Sequence, residues 1–186
     1  MKKKILSFLL AGSLVLSLAA CGSSTPSVSG AAGFDSSKAQ SSAATMGQKN
    51  ALRKAKEYLG VMPFSHDGLI KQLEFEGYAS EEAAYGADNC GADWNTQAAK
   101  KAKEYLNVMA FSHDGLIKQL EHEAYTPEEA AYGVDNCGAD WDAQAAKKAK
   151  EYLDIMAFSR DGLIKQLEHE GFTNTQAVHG VTANGY

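Results

Sequence analysis

AKEYLNVMAFSHDGLIKQLEHEAYTPEEAAYGVDN, residues 102–136, is the stretch on which the fold turns. Near its end, Thr126 is a helix cap, Pro127 supplies a helical φ at the first helical position, and Glu129 can reach back to the cap. That is a capping box, and it marks the start of a helix. Upstream, Phe111 stands just before Ser112, with Leu116 one turn into the next segment. An apolar residue before a cap that faces another at the fourth helical position is a hydrophobic staple, so a second helix begins there. No part of the stretch alternates apolar and polar residues over strand lengths, and the fold class it predicts is all-α.

Moving outward, the same text recurs. Tyr58, Tyr105 and Tyr152 lie 47 residues apart, and so do Trp94 and Trp141. Residues 55–101 and 102–148 agree at 38 of 47 positions, so a reading of one copy carries to the other. The third, 149–186, agrees with the second at 24 of 38 positions and stops before the Gly-Ala-Asp-Trp segment, which reads as a truncated copy. In the first copy Leu52, Ala55, Leu59 and Met62 form an apolar stripe opposite Lys54 and Lys56, over a helix near Gln48–Gly60. Ser65 caps the second helix, Asp67 sits in its first turn against the helix dipole, and Leu69, Ile70 and Leu73 form its buried side. The staple pairs are Phe64/Leu69, Phe111/Leu116 and Phe158/Leu163. Gly77 ends the helix in a left-handed cap with Tyr78 folding back. The third helix opens weakly at Ala79, with a capping box at Thr126, and at Thr173 with Gln176. Gly91 and Gly138 end it, and Asp93 and Asp140 are placed to cap the next copy's first helix. The expected architecture is a tandem array of three helix-turn-helix-like repeats: 48–101, 102–148 and 149–186. One copy alone has a marginal core, so stacking is expected to bury the faces that each leaves open.

The N-terminus reads as an address. Lys2, Lys3 and Lys4 precede an apolar run from Ile5 to Leu18, the layout of a secretory signal over 1–20. Leu18-Ala19-Ala20-Cys21 resembles a bacterial lipobox, which implies cleavage before Cys21 and a covalent diacylglycerol on its sulfur. Two acyl chains anchor stably where one does not. Residues 22–47 hold eight serines in 26 positions and almost no large apolar side chain, so 21–47 is expected to be a flexible linker of roughly 30 Å root-mean-square span. The expected location is the extracellular face of a cell membrane, held through lipid.

From Cys21 onward, 15 basic residues face 23 acidic ones, a balance of −8. That excess of acid argues against a phosphate-neutralising nucleic-acid binder and against unaided docking on an anionic bilayer. Three cysteines are too few for a disulfide framework. Ser65-His66-Asp67 cannot be a catalytic relay, because neighbouring helical residues point about 100° apart. Glu121-His122-Glu123 and Glu168-His169-Glu170 lack any zinc spacing, and Asp88–Asp93 lacks the calcium-loop pattern. Cys90 and Cys137 are expected to be free, partly buried thiols, since equivalent points of packed helices lie about 10 Å apart. No catalytic residue, metal ligand or further cofactor is assigned, and the chain is expected not to be an enzyme.

One charge pattern remains. Residues 72–99 hold six acids and 119–146 hold seven, neither block with a Lys or Arg, and lysine triplets (100, 101, 103 and 147, 148, 150) separate them. Glu74, Glu76, Glu81, Glu82 and Asp88, then Glu121, Glu123, Glu128, Glu129, Asp135 and Asp142, are candidates for a repeated acidic strip that holds a cationic protein partner. Helix-start carboxylates favouring the dipole are the plainer explanation of the same residues.

The pattern A-K-x-Y-L-x-x-M-x-F-S-x-D-G-L-I-x-Q-L-E-x-E-G-Y-x-x-E-E-A-x-Y-x-x-D-N, present as Ala55–Asn89 and Ala102–Asn136 and eroded from Ala149, resembles the repeat of the Ltp family. These are host cell surface-exposed lipoproteins of Gram-positive bacteria and their prophages. The resemblance implies a repeated helix-turn-helix-type fold and superinfection exclusion, with an incoming phage's tape-measure protein as target and DNA injection as the blocked step. The alternative is a general surface lipoprotein for adhesion or envelope maintenance. A DNA-binding helix-turn-helix is undercut by export and by the acidic balance.

Overall fold

A computed structural model describes residues 43–186. The expected signal peptide, Cys21 and all of the linker before residue 43 lie outside the described residues. Within them, nine helices follow one another without a strand. They are α1 (Met46–Leu59), α2 (His66–Phe75), α3 (Ser80–Asn89), α4 (Trp94–Val108), α5 (His113–His122), α6 (Pro127–Asp135), α7 (Trp141–Ile155), α8 (Arg160–His169) and α9 (Asn174–Ala183). None is long and apolar enough to cross a membrane.

The starts lie where the side chains can cap them. Ser65, Ser112 and Ser159 accept from the glycine amide three residues on, and Asp93 and Asp140 accept from Thr96 and Ala143. Thr126 and Thr173 form full capping boxes. At Ala79 only the returning half exists, the Ala79 amide donating to Glu82 Oε2 at 3.3 Å. Each such cap contributes on the order of 1 kcal/mol. The second helices all end in the same double turn. Tyr78, Tyr125 and Phe172 amides return to Leu73, Leu120 and Leu167 carbonyls, and residues 77, 124 and 171 stand at positive φ. Two of these are glycine; the third is Ala124 at φ 64°, a left-handed alanine that pays a steric cost.

Within a copy the third helix packs mainly on the first, then on the second. The first-to-third contact is very close. A Cβ built on Gly86, Gly133 or Gly180 would lie within 2.9 Å of the backbone of Ala51, Ala98 or Ala145. Small residues on both sides bring the helices together, and the leucines of the second helix (Leu69 and Leu73, Leu116 and Leu120, Leu163 and Leu167) fill the wedge with no exposure.

Three expectations are corrected. First, α1 begins at Met46 with Thr45 as cap and Gln48 completing the box, so the linker gives way to helix two residues before Gln48. Second, cuts at 101/102 and 148/149 pass through α4 and α7. The units are α1–α3, α4–α6 and α7–α9, and the third is whole rather than truncated. The Gly-Ala-Asp-Trp segment opens the following copy and does not close its own. Third, stacking does not merge the cores. Each copy has a separate cluster, around Leu69/Leu73, Leu116/Leu120 and Leu163/Leu167. Small alanine contacts close each unit by itself, and helices of different copies meet only thinly.

Candidate interaction surface

What joins the copies is a set of polar contacts at the turn before each second helix. Ser65 Oγ, already accepting from Gly68, donates to the Glu123 carbonyl of the next copy at 2.5 Å, and Ser112 Oγ does the same to Glu170. One hydroxyl thus caps its own helix and ties it to the C-terminal turn of the following copy's second helix. At the second junction the Ala110 amide also donates to Glu151 Oε1 at 3.1 Å, and Lys147 Nζ donates to the Leu106 carbonyl at 3.3 Å.

Each Trp reaches back. Trp94 packs on the core of copy one and Trp141 on that of copy two. Each also meets a histidine edge-on, His66 with Trp94 and His113 with Trp141, ring centres 5.2 Å apart. The histidines are bracketed by carboxylates. His66 Nδ1 lies 3.0 Å from Asp67 and Nε2 2.8 Å from Asp88; His113 Nδ1 lies 3.2 Å from Asp114 and Nε2 2.8 Å from Asp135. Burial, the largest single influence, lowers both imidazole pKa values, but bonds to the two carboxylates outweigh it and leave both raised above 6.5.

The acidic residues divide into two groups. Glu76 and Glu123 accept from the Tyr58 and Tyr105 hydroxyls, and Lys54 and Lys101 lie 3.2 and 3.1 Å from them. Gln72 and Gln119 donate to the same tyrosines. Burial, then the bond to Glu123, push the Tyr105 phenol up to about 12. Glu82 and Glu129 serve as helix caps, and Asp88 and Asp135 hold the histidines. These six carboxylates are occupied by the fold. Among the described residues, no side-chain hydrogen bond or ion pair engages Glu74, Glu81, Glu121, Glu128 or Asp142, and all five are exposed. Glu74 and Glu81, like Glu121 and Glu128, flank the turn between the second and third helices.

The triad look-alike is taken apart by the geometry, with Ser65 capping and His66 turned to Asp88. Glu123 faces Tyr105, while Glu121 and His122 are exposed beside it. Cys90 and Cys137 are free and more buried than expected, their thiols donating to the Ala87 and Val134 carbonyls at 3.0 Å; burial pushes the Cys137 thiol up. An open groove on the surface has walls of Lys49, Leu52, Arg53, Lys56 and Glu57, all on α1, so no second element closes over it.

Sequence reasoning missed the histidine brackets and the second bond of Ser65 and Ser112. The available signal was joint loss. Where copies one and two carry His66/Asp88/Trp94 and His113/Asp135/Trp141, copy three has Arg160 and Thr182 at the first two places.

Comparison with known proteins agrees with this phasing. A family model described as host cell surface-exposed lipoprotein matches three times, at residues 47–90, 93–137 and 140–183, each match spanning one three-helix unit. No curated protein matches the chain. A solved structure, Ltp, a superinfection exclusion protein from the Streptococcus thermophilus temperate phage TP-J34, is 34% identical. It aligns over 50% of this chain and 98% of its own, at a TM-score of 0.49. With three matches that together span most of its length, the chain belongs to the Ltp family of host cell surface-exposed lipoproteins.

Proposed function

We propose that the protein is a lipid-anchored surface module, not an enzyme, that excludes superinfecting phage by blocking DNA injection. Cys21 carries the diacylglycerol, and a short linker keeps the repeats near the bilayer. The carboxylates that the fold leaves unengaged hold a cationic segment of an incoming phage protein, the tape-measure protein in this reading. The observation that carries the proposal is the division of the acids. Six are consumed by caps, tyrosines and histidines, whereas Glu74, Glu81, Glu121, Glu128 and Asp142 stand free on capped, independently cored units. Membership of the family of host cell surface-exposed lipoproteins supports the surface part of this reading. Weak equivalent sites on neighbouring copies add by avidity, and binding through them weakens as salt rises.

The test is a phage challenge of a susceptible host expressing the chain, with adsorption and DNA entry scored separately. Normal adsorption with blocked entry is expected, lost in Cys21→Ser and reduced when the five free carboxylates become amides. Unchanged entry across a broad phage panel would turn the reading to the general adhesion or envelope role.

A further inference from the structure

The two histidine brackets point beyond partner binding to control of the joints between copies. Each bracket gathers three elements: the histidine at the start of a second helix, an aspartate in the last turn of the same copy's third helix, and the tryptophan that opens the next copy. Both ring nitrogens of His66 and of His113 face a carboxylate oxygen at 2.8–3.2 Å. A neutral imidazole has one N–H and one lone pair, so it can satisfy only one of the two carboxylates, and the other nitrogen then meets it lone pair to lone pair. An imidazolium has two N–H donors and satisfies both. The geometry is therefore built for the protonated ring.

We infer that these brackets are proton-operated clasps, holding the joints between copies one and two and between copies two and three more tightly in mild acid than above neutrality. Uptake of one proton from solvent by each ring adds the second N–H and lets the imidazolium bind both carboxylates while it keeps its T-shaped contact with the tryptophan. The groups facing His66 are Asp67 from α2, Asp88 from α3 and the uncharged Trp94 from α4; those facing His113 are Asp114 from α5, Asp135 from α6 and Trp141 from α7. Among the described residues, the charged groups against both rings are carboxylates, which favours the protonated state, and the raised imidazole pKa values agree in direction. Copy three supplies the internal control: Arg160 replaces the histidine and Thr182 the aspartate, so the charge there does not titrate.

The tryptophans make the clasp visible. The chain has two, both edge-on to a bracketed histidine. Protonated imidazole quenches indole fluorescence, so the emission of the chain from residue 21, with Cys21→Ser to prevent acylation, should fall on acidification. Its midpoint should lie above 6.5, the ordinary histidine value, while far-UV circular dichroism stays constant. Asp88→Asn with Asp135→Asn should lower the midpoint, and His66→Arg with His113→Arg should abolish the titration. Backbone ¹⁵N relaxation of residues 91–93 and 138–140 should show more order below the midpoint than above it. A flat fluorescence trace, a midpoint indifferent to the aspartate changes, or equal order on both sides of the midpoint would overturn the clasp. Because neither readout involves phage or partner, failure of the clasp is separable from failure of the exclusion reading.

Discussion

Leu116, Leu120, Ala130 and Val134 of copy two are matched position for position by Leu163, Leu167, Ala177 and Val181 of copy three, and all eight are shut away from water. The serine caps, the capping boxes and the tyrosine–glutamate–glutamine trios are matched as well. The edges differ. Copy two carries Glu128, Glu129 and Asp135 on its third helix, where copy three carries Thr175, Gln176 and Thr182, and α9 has no acid in its first turn. Copy three folds to the same unit without the acids, the histidine bracket or the buried cysteine, so none of those features is a requirement of the unit's own stability. Glu129 makes a cap that Gln176 supplies in copy three, so what copy two has in excess is the free Glu128 for binding and the His113–Asp135 bracket at the joint, and the two copies form a built-in comparison between fold and function.

The largest effect should come from what they share. Leu120→Ala and Leu167→Ala each remove a fully buried side chain and should cost about 2–5 kcal/mol. Because the clusters are separate, each loss should fall on its own copy. Residue-resolved hydrogen exchange should show protection falling in α4–α6 for the first variant and in α7–α9 for the second. A uniform loss over all three copies would break the picture of independent cores.

Next in size are the helix crossings. Gly133→Ala places a Cβ 2.7 Å from the Ala98 backbone, and Gly180→Ala does the same against Ala145. Overpacking of this kind costs about 1–3 kcal/mol. The two variants should fall equally in denaturant midpoint, and a marked inequality would show that α9 packs less tightly than α6. The cap of the second helix separates the copies more finely. Ala124→Gly should stabilise copy two by about 0.5–1 kcal/mol, since a left-handed alanine is strained and glycine is not. Gly171→Ala should destabilise copy three by more than that, because its new Cβ also meets Ser112 Oγ at 2.9 Å.

How much of this could be read in advance follows the range of the interaction. Caps and staples act over three or four residues, so Ser65, Thr126 with Pro127 and Glu129, and Asp93 declare their helices directly. The 47-residue period fixes the length of a unit but not its origin, which depends on Trp94 and Trp141 reaching back into the preceding copy. The separate cores follow from glycine-on-alanine crossings, where nothing large projects to signal the contact. Ala124 is held left-handed against its local preference by the returning Tyr125 and the buried Leu120, a case of tertiary packing overriding propensity. For the acidic strip, the sequence shows the charges; only the side-chain partners separate Glu121 and Glu128 from Glu123 and Glu129, and those partners sit as far off in sequence as Tyr105 and Lys101 do from Glu123.

The smallest effect addresses the feature that copy three lacks. The His113 pKa is raised in the folded state, so the fold binds that proton more tightly than the unfolded chain does. The stabilisation is complete below 6.5, where both states are protonated, and is lost as pH rises through the raised folded value. The side chain is about a third exposed, so the bracket is screened and contributes under about 1 kcal/mol. His113→Arg copies Arg160 and keeps a positive charge at every pH. Comparing denaturant midpoints of wild type and variant at pH 5.5 and 8.5 cancels the other titrating groups, and the difference should favour wild type more at the lower pH. Thr182→Asp with Arg160→His, made in a chain ended at Tyr186 so that no tryptophan follows, would install the bracket's imidazole and its second carboxylate beside Asp161 in copy three. If that variant gained the same acid-side stability, Asp and His alone would account for the energy. If it gained nothing, the tryptophan that opens the next copy is a necessary third member, and the pH dependence belongs to the joint.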